Sequence, residues 1–189
     1  MTFCIVTLDL SLTGTGVSRV HDVSMGASGI ETLRIESEGH KDDTWSMRAM
    51  RLRGMAQRIL TEAGVGQSWT PDLVAVEAPS YASTTGSQHD RSGMWWLIVG
   101  RMFALGMNVV LLEPTKVKMY ATGNGKAGKE LMMTTMVRAF PTVEIRSSDE
   151  ADALAMLCMC ARHLGAPLDG ILSAKKMSAM DGVQWAGNE

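Results

Sequence analysis

The apolar residues of this chain fall into two kinds of pattern. Short unbroken runs come first, and spaced sets at helical intervals follow. Phe3–Leu8 is almost wholly apolar and stops at Asp9, and Leu73–Val76 stops in the same way at Glu77. Runs of that length predict strands buried on both faces. Ser11-Leu-Thr-Gly-Thr-Gly16 predicts a tight turn leading into a second strand at Val17–Val20, and Ile30, Leu33 and Ile35 mark a third over 30–37. After the polar linker 38–43, Met47, Met50, Leu52, Met55, Ile59 and Leu60 recur at a helical period, which predicts a helix over about 44–63 facing the core.

Beyond Glu77 the segment 78–87 is rich in Ser, Thr and Gly and predicts a loop. A helix is expected from near Gln88 to Leu105, then a strand over 108–112 and a short helix at 115–120 opened by Pro114. A glycine loop at 123–128 separates it from a helix over 129–140, and a last helix is expected over 149–164. Three strands in hairpin order, followed by strands alternating with helices, imply an α/β protein: one mixed sheet with helices packed on it. The tail 166–189, small and polar without a period, is expected to be irregular.

Composition adds only bounds. With 189 residues, 46% hydrophobic and 20% charged, the chain suits one soluble domain with a full core. No stretch has the apolar length of a membrane span, and no basic segment with a cleavage site precedes the first strand, so a cytoplasmic protein is expected. Cys4, Cys158 and Cys160 form no metal-ligand or disulfide spacing and are expected as buried thiols. The sixteen methionines are expected mainly as core filler.

Four acidic residues change the picture. Asp9 and Glu77 end buried strands, while Asp149 and Asp152 open a helix whose other positions are apolar, with Ser148 or Asp149 as its expected cap. Charge at the rim of a sheet is costly unless paired or bound to a cation. No lysine or arginine stands beside these four in the sequence. Hard oxygen ligands in that number suit magnesium, which points to metal-assisted phosphodiester chemistry. The net charge of -2 does not by itself advertise a nucleic-acid binder. Yet over 114–146 six basic residues face two acidic ones, a basic strip suited to a phosphate backbone. Each feature also has a plainer explanation: helix capping for Asp149 and Asp152, an Asx turn for Asp9, a solvated face for the lysines. Their conjunction favours the metal site.

The chain resembles the RuvC-type Holliday junction resolvases of the ribonuclease H-like superfamily. The matching pieces are Asp9 with Thr13-Gly-Thr-Gly-Val17, Val74-Ala-Val-Glu77, Ser148-Asp-Glu-Ala-Asp-Ala-Leu-Ala155, and the stretch from Val117 through Lys129. Coverage runs over about 3–165, and the Asp149–Ala155 segment is the most specific part. The resemblance implies a ribonuclease H-like domain over 1–165, with a mixed five-stranded sheet flanked by helices. It also implies a magnesium-dependent endonuclease, usually a homodimer, that nicks two strands of branched, four-way DNA symmetrically. Asp9, Glu77, Asp149 and Asp152 are cast as ligands of two Mg2+ ions, with Mn2+ able to substitute and Asp9 shared between them. Lys118 and Lys129 are cast as phosphate contacts, with Lys126 a looser candidate.

The chain departs from the family pattern in a turn after Asp9 that is two residues shorter and lacks Pro-Gly. The aromatic past the strand-end glutamate is shifted by one residue to Tyr81, which is expected either to stack on an unpaired base or to anchor its loop. Adjacent Trp95 and Trp96 cannot share one core stripe, so at least one is expected to be covered by something else, a dimer partner on that helix or core packing around a bend in it.

Three rivals are weighed. Ribonuclease H proper would carry its glutamate on the first helix, where only Glu62 is available, near the far end. An actin-type ATP-binding protein would need two lobes. A junction-binding module without cleavage would have no use for four carboxylates.

Overall fold

The computed structural model describes residues 2–79 and 87–186. Five strands form one sheet in the order β3-β2-β1-β4-β5. β1 (Ile5–Asp9), β2 (Gly14–Val20) and β3 (Ile30–Glu36) make an antiparallel meander. β4 (Leu73–Glu77) lies parallel to β1, and β5 (Val109–Leu112) parallel to β4. The expected mixed five-stranded sheet is therefore present, with β1 at its centre.

Helices cover both faces. α1 (Trp45–Glu62) and α2 (Gln88–Ala104) lie on one side. α3 (Pro114–Thr122), α4 (Lys129–Ala139) and α5 (Ser148–His163) lie on the other. Successive strand residues point to opposite faces: Ile5 packs among the α5-side residues, while Val6 and Leu8 join Met55, Ile59, Ile98 and Met102. This double burial is why the strand runs are apolar throughout rather than alternating. Small residues Ala151, Ala153 and Ala155 bring α5 close enough for the buried Thr7 hydroxyl to donate to the Ala153 carbonyl at 2.7 Å.

Four expectations are corrected. The turn after Asp9 is shorter than the sequence suggested, because Gly14, Thr15 and Gly16 already pair within β2. Met47 and Met50 are exposed rather than core-facing; α1 meets the core from Leu52 onward. The cap of α5 is Ser147, one residue before those expected: its hydroxyl accepts from the Glu150 amide while Glu150 accepts from the Ser147 amide at 2.8 Å.

The tail, expected to be irregular, carries α6 (Ala174–Met177) and a 3-10 turn at Ser178–Met180. It is pinned because Arg162 bonds Asp169 at 2.5 Å, Tyr120 donates to Asp169 at 2.7 Å, and Trp185 stacks on His163 at 4.0 Å. These contacts join residues distant in sequence, so no local period announces them. Among the described residues, no helix is long and apolar enough to cross a membrane.

Candidate active site

The parallel register of β1 and β4 sets Leu8 opposite Val76, so the next residues, Asp9 and Glu77, finish their strands at one sheet edge. The Trp95 indole donates to the Glu77 carbonyl at 3.3 Å, fixing the end of β4 against α2. From the opposite face, α5 brings its first turn to the same edge. Asp149 and Asp152, three residues apart, share a helix face, while Glu150, turned about 100° from Asp149, is almost wholly buried and occupied by the cap.

Two glycines allow this approach. A Cβ at Gly16 would stand 2.0 Å from the Asp149 carbonyl oxygen, and one at Gly14 only 2.2 Å from the Arg34 guanidinium. β2 pairs Gly16 with Arg34. The Gly-Thr-Gly segment therefore clears room on one face of β2 for the start of α5 and, two residues away, for an arginine.

That arginine went unnoticed in the sequence. Arg34 Nε donates to Asp149 Oδ2 at 3.1 Å, and the same guanidinium also pairs with Glu36. Lys129 Nζ lies 3.8 Å from Asp149 Oδ1, and the Ser148 hydroxyl donates to that oxygen at 3.4 Å. The sequence suggested carboxylates without basic neighbours; the fold supplies Arg34 and Lys129 directly. Lys118, on α3, adds positive charge felt by Glu77 and Asp152. The signal for Arg34 lay in the glycine two-step of the strand beside it, legible only once the register is known.

The carboxylates disturb one another. Burial, then the charges of Glu77, Asp152 and Asp149, push the Asp9 carboxyl well above its usual range, with Lys129 opposing. Burial and Asp152 push Glu77 up to about 7 against Lys118 and Lys129. Burial also lifts Asp152 to about 6; Lys118 and Lys129 oppose the shift and Asp149 adds to it. Carboxylates that resist ionisation together mark a place where positive charge is wanted.

The donor set fits a hard divalent cation. Asp152 Oδ1 is buried with no hydrogen-bond partner among the described residues, a costly state that a cation relieves. Among the described residues no three Asp, Glu, His or Cys side chains are yet gathered tightly enough to enclose an ion. Lys126 stands exposed in the turn before α4, its amide donating to Asn124 Oδ1 at 3.0 Å. Tyr81 lies outside the described residues.

Comparison with known proteins points one way. No family model matches the chain. The crossover junction endodeoxyribonuclease RuvC of Corynebacterium diphtheriae is 30% identical over 114 residues, 57% of this chain and 70% of that protein. RuvC of Corynebacterium efficiens is 29% identical over 133 residues, 67% of this chain and 57% of that protein, so the match spans little more than half of this relative's length. Among solved structures, Thermus thermophilus RuvC in complex with a Holliday junction substrate superposes with a TM-score of 0.59 at 20% identity. The superposition covers 89% of this chain and 99% of that one, a likeness of fold.

Proposed function

Because the chain belongs to the RuvC family of crossover junction endodeoxyribonucleases, we propose that it is a magnesium-dependent nuclease that resolves four-way or branched DNA by paired nicks. The observation that carries this reading is the convergence of Asp9, Glu77 and Asp152 at one sheet edge. There Glu77 and Asp152 raise the cost of ionising Asp9, Asp152 raises that of Glu77, and one buried oxygen of Asp152 has no partner among the described residues.

Two Mg2+ ions, for which Mn2+ can substitute, would supply an activated water on one side of the phosphorus and charge stabilisation of the leaving oxygen on the other. Asp9, on the central strand, would be shared between the ions, with Glu77, Asp149 and Asp152 as the other ligands. Lys118 and Lys129 hold non-bridging phosphate oxygens at the same edge, orienting the scissile bond. Lys126 and Tyr81 supply further contacts to the DNA strand. The Thermus relative bound to a Holliday junction supports branched DNA as the substrate class.

Paired nicking calls for two active sites related by a two-fold axis. The outer face of α2 suits that contact. Trp95 is buried against β4, whereas Trp96 is 65% exposed beside exposed Leu97, with Phe103 further along the helix. An apolar surface of this kind favours a partner, and a second copy is the partner that a two-fold substrate demands.

A labelled four-way junction incubated with the protein, with and without Mg2+, tests the reading. Metal-dependent symmetric nicks are expected, abolished in Asp9→Asn. Binding in both conditions with cutting in neither would instead indicate a junction-binding module. Cutting of an RNA–DNA hybrid but not of a junction would indicate a ribonuclease H, a reading disfavoured by the place of Glu77 on β4 rather than on α1.

A further inference from the structure

The tail that pins itself across α3 and α5 also carries charge. α6 contributes Lys175 and Lys176, and neither pairs with a carboxylate among the described residues. Lys176 Nζ instead donates to the Ala121 carbonyl at 2.6 Å, and its stem passes within 3.9 Å of where a Cβ on Gly123 would stand. Lys116, on α3, donates to the Asp181 carbonyl in the same tail. A carbonyl partner fixes an ammonium group in place without cancelling its charge. Asp169, in the same tail, is already paired with Arg162 at 2.5 Å.

Gly123 ends α3 in a left-handed conformation and opens the turn that carries Lys126 into α4. α6 therefore stands beside that turn and packs against α3, so Lys175 and Lys176 add to the lysines of α3, the turn and α4: Lys116, Lys118, Lys126 and Lys129. Of these six, only Lys129 has a carboxylate partner among the described residues, at 3.8 Å. Lys118 and Lys129 bear on the site carboxylates, while Lys116, Lys126, Lys175 and Lys176 pair with no carboxylate among the described residues and are left to take counter-charge from outside.

We propose that the C-terminal tail is part of the DNA-binding surface: Lys175 and Lys176 on α6 extend the lysine strip of α3 and α4 away from the carboxylates and bind the phosphodiester backbone of a junction arm. The inference rests on the function proposed above and adds a segment of the chain to it. Contacts of this kind position the duplex without reading its sequence and appear in the salt dependence of binding.

The test is binding of a fluorescent four-way junction in EDTA, from 50 to 300 mM salt, by anisotropy. Lys175→Glu alters an exposed side chain. Lys175→Gln/Lys176→Gln removes both charges, and its melting temperature checks that α6 stays docked. Each variant is expected to bind at least roughly fivefold more weakly than wild type at 100 mM salt, with the slope of log K against log salt reduced by about 1 per lysine. Lys41→Glu, in the exposed loop before α1, is expected to change affinity less than twofold. Tail variants that match wild type in affinity and slope overturn the inference while leaving the proposed function intact. Equal weakening by Lys41→Glu overturns it too, since net charge would then explain the effect. A wild-type protein that binds no junction overturns both.

Discussion

Arg34 on β3 and Asp149 on α5 meet across the glycine-cleared floor of β2, Nε to Oδ2 at 3.1 Å. The pair joins an edge-side strand to the first turn of the helix that completes the carboxylate cluster. It gives Asp149 a counter-charge from within the chain, the role a divalent cation would otherwise fill.

Replacing Arg34 with Ala is expected to lower the stability of the metal-free protein by about 1–2 kcal/mol, between the values for surface and buried pairs. The deficit should shrink in 10 mM Mg2+, as the cation takes over the neutralisation of Asp149. Thermal melts of wild type and variant in EDTA and in Mg2+ measure both numbers. An equal deficit in the two conditions would mean that Arg34 serves the fold and not the site.

Gly16→Ala would drive a methyl group to within 2.0 Å of the Asp149 carbonyl oxygen, a backbone atom that cannot swing away. α5 must shift, at an overpacking cost of about 1–3 kcal/mol or more. Because the shift moves Asp149 and Asp152 relative to Asp9, nicking should fall by about 100-fold even where the variant is fully folded. Single-turnover cleavage below the melting transition checks this.

Acidity should stabilise the metal-free protein. Glu77 is raised to about 7 and Asp152 to about 6, both above their ordinary values. Their favourable share is complete below the unfolded carboxylate range and is lost as pH rises through about 6 to 7. In EDTA the melting temperature is therefore expected to be higher at pH 5.5 than at pH 8. In Mg2+ the loss at pH 8 should be recovered, and the midpoint metal concentration should rise as pH falls from 8 to 6, because protons compete for the same oxygens. A flat profile in EDTA would contradict the strained cluster.

Trp95 and Trp96 should respond oppositely. Trp95→Ala removes a side chain only 8% exposed, together with its bond to the Glu77 carbonyl, and should cost about 3–5 kcal/mol of stability. Trp96→Glu should leave the fold intact and shift sedimentation from dimer to monomer. A monomeric wild type would remove α2 as an interface.

Much of this protein was legible in its residues. Apolar runs ending in Asp9 and Glu77 foretold doubly buried strands with charged tips, because a strand covered on both faces leaves no polar position until it emerges. The spacing of Asp149 and Asp152 foretold a shared helix face, because helical geometry is local. Local pattern could not say what stands opposite a strand residue. That Gly16 faces Asp149, that Arg34 reaches across Gly14, and that Lys118 bears on Glu77 follow from strand register and helix docking, which bring together residues up to 133 positions apart. The tail shows the same division: its sequence carries no period, and its order comes from partners such as Tyr120, Arg162 and His163 that only the folded chain places beside it.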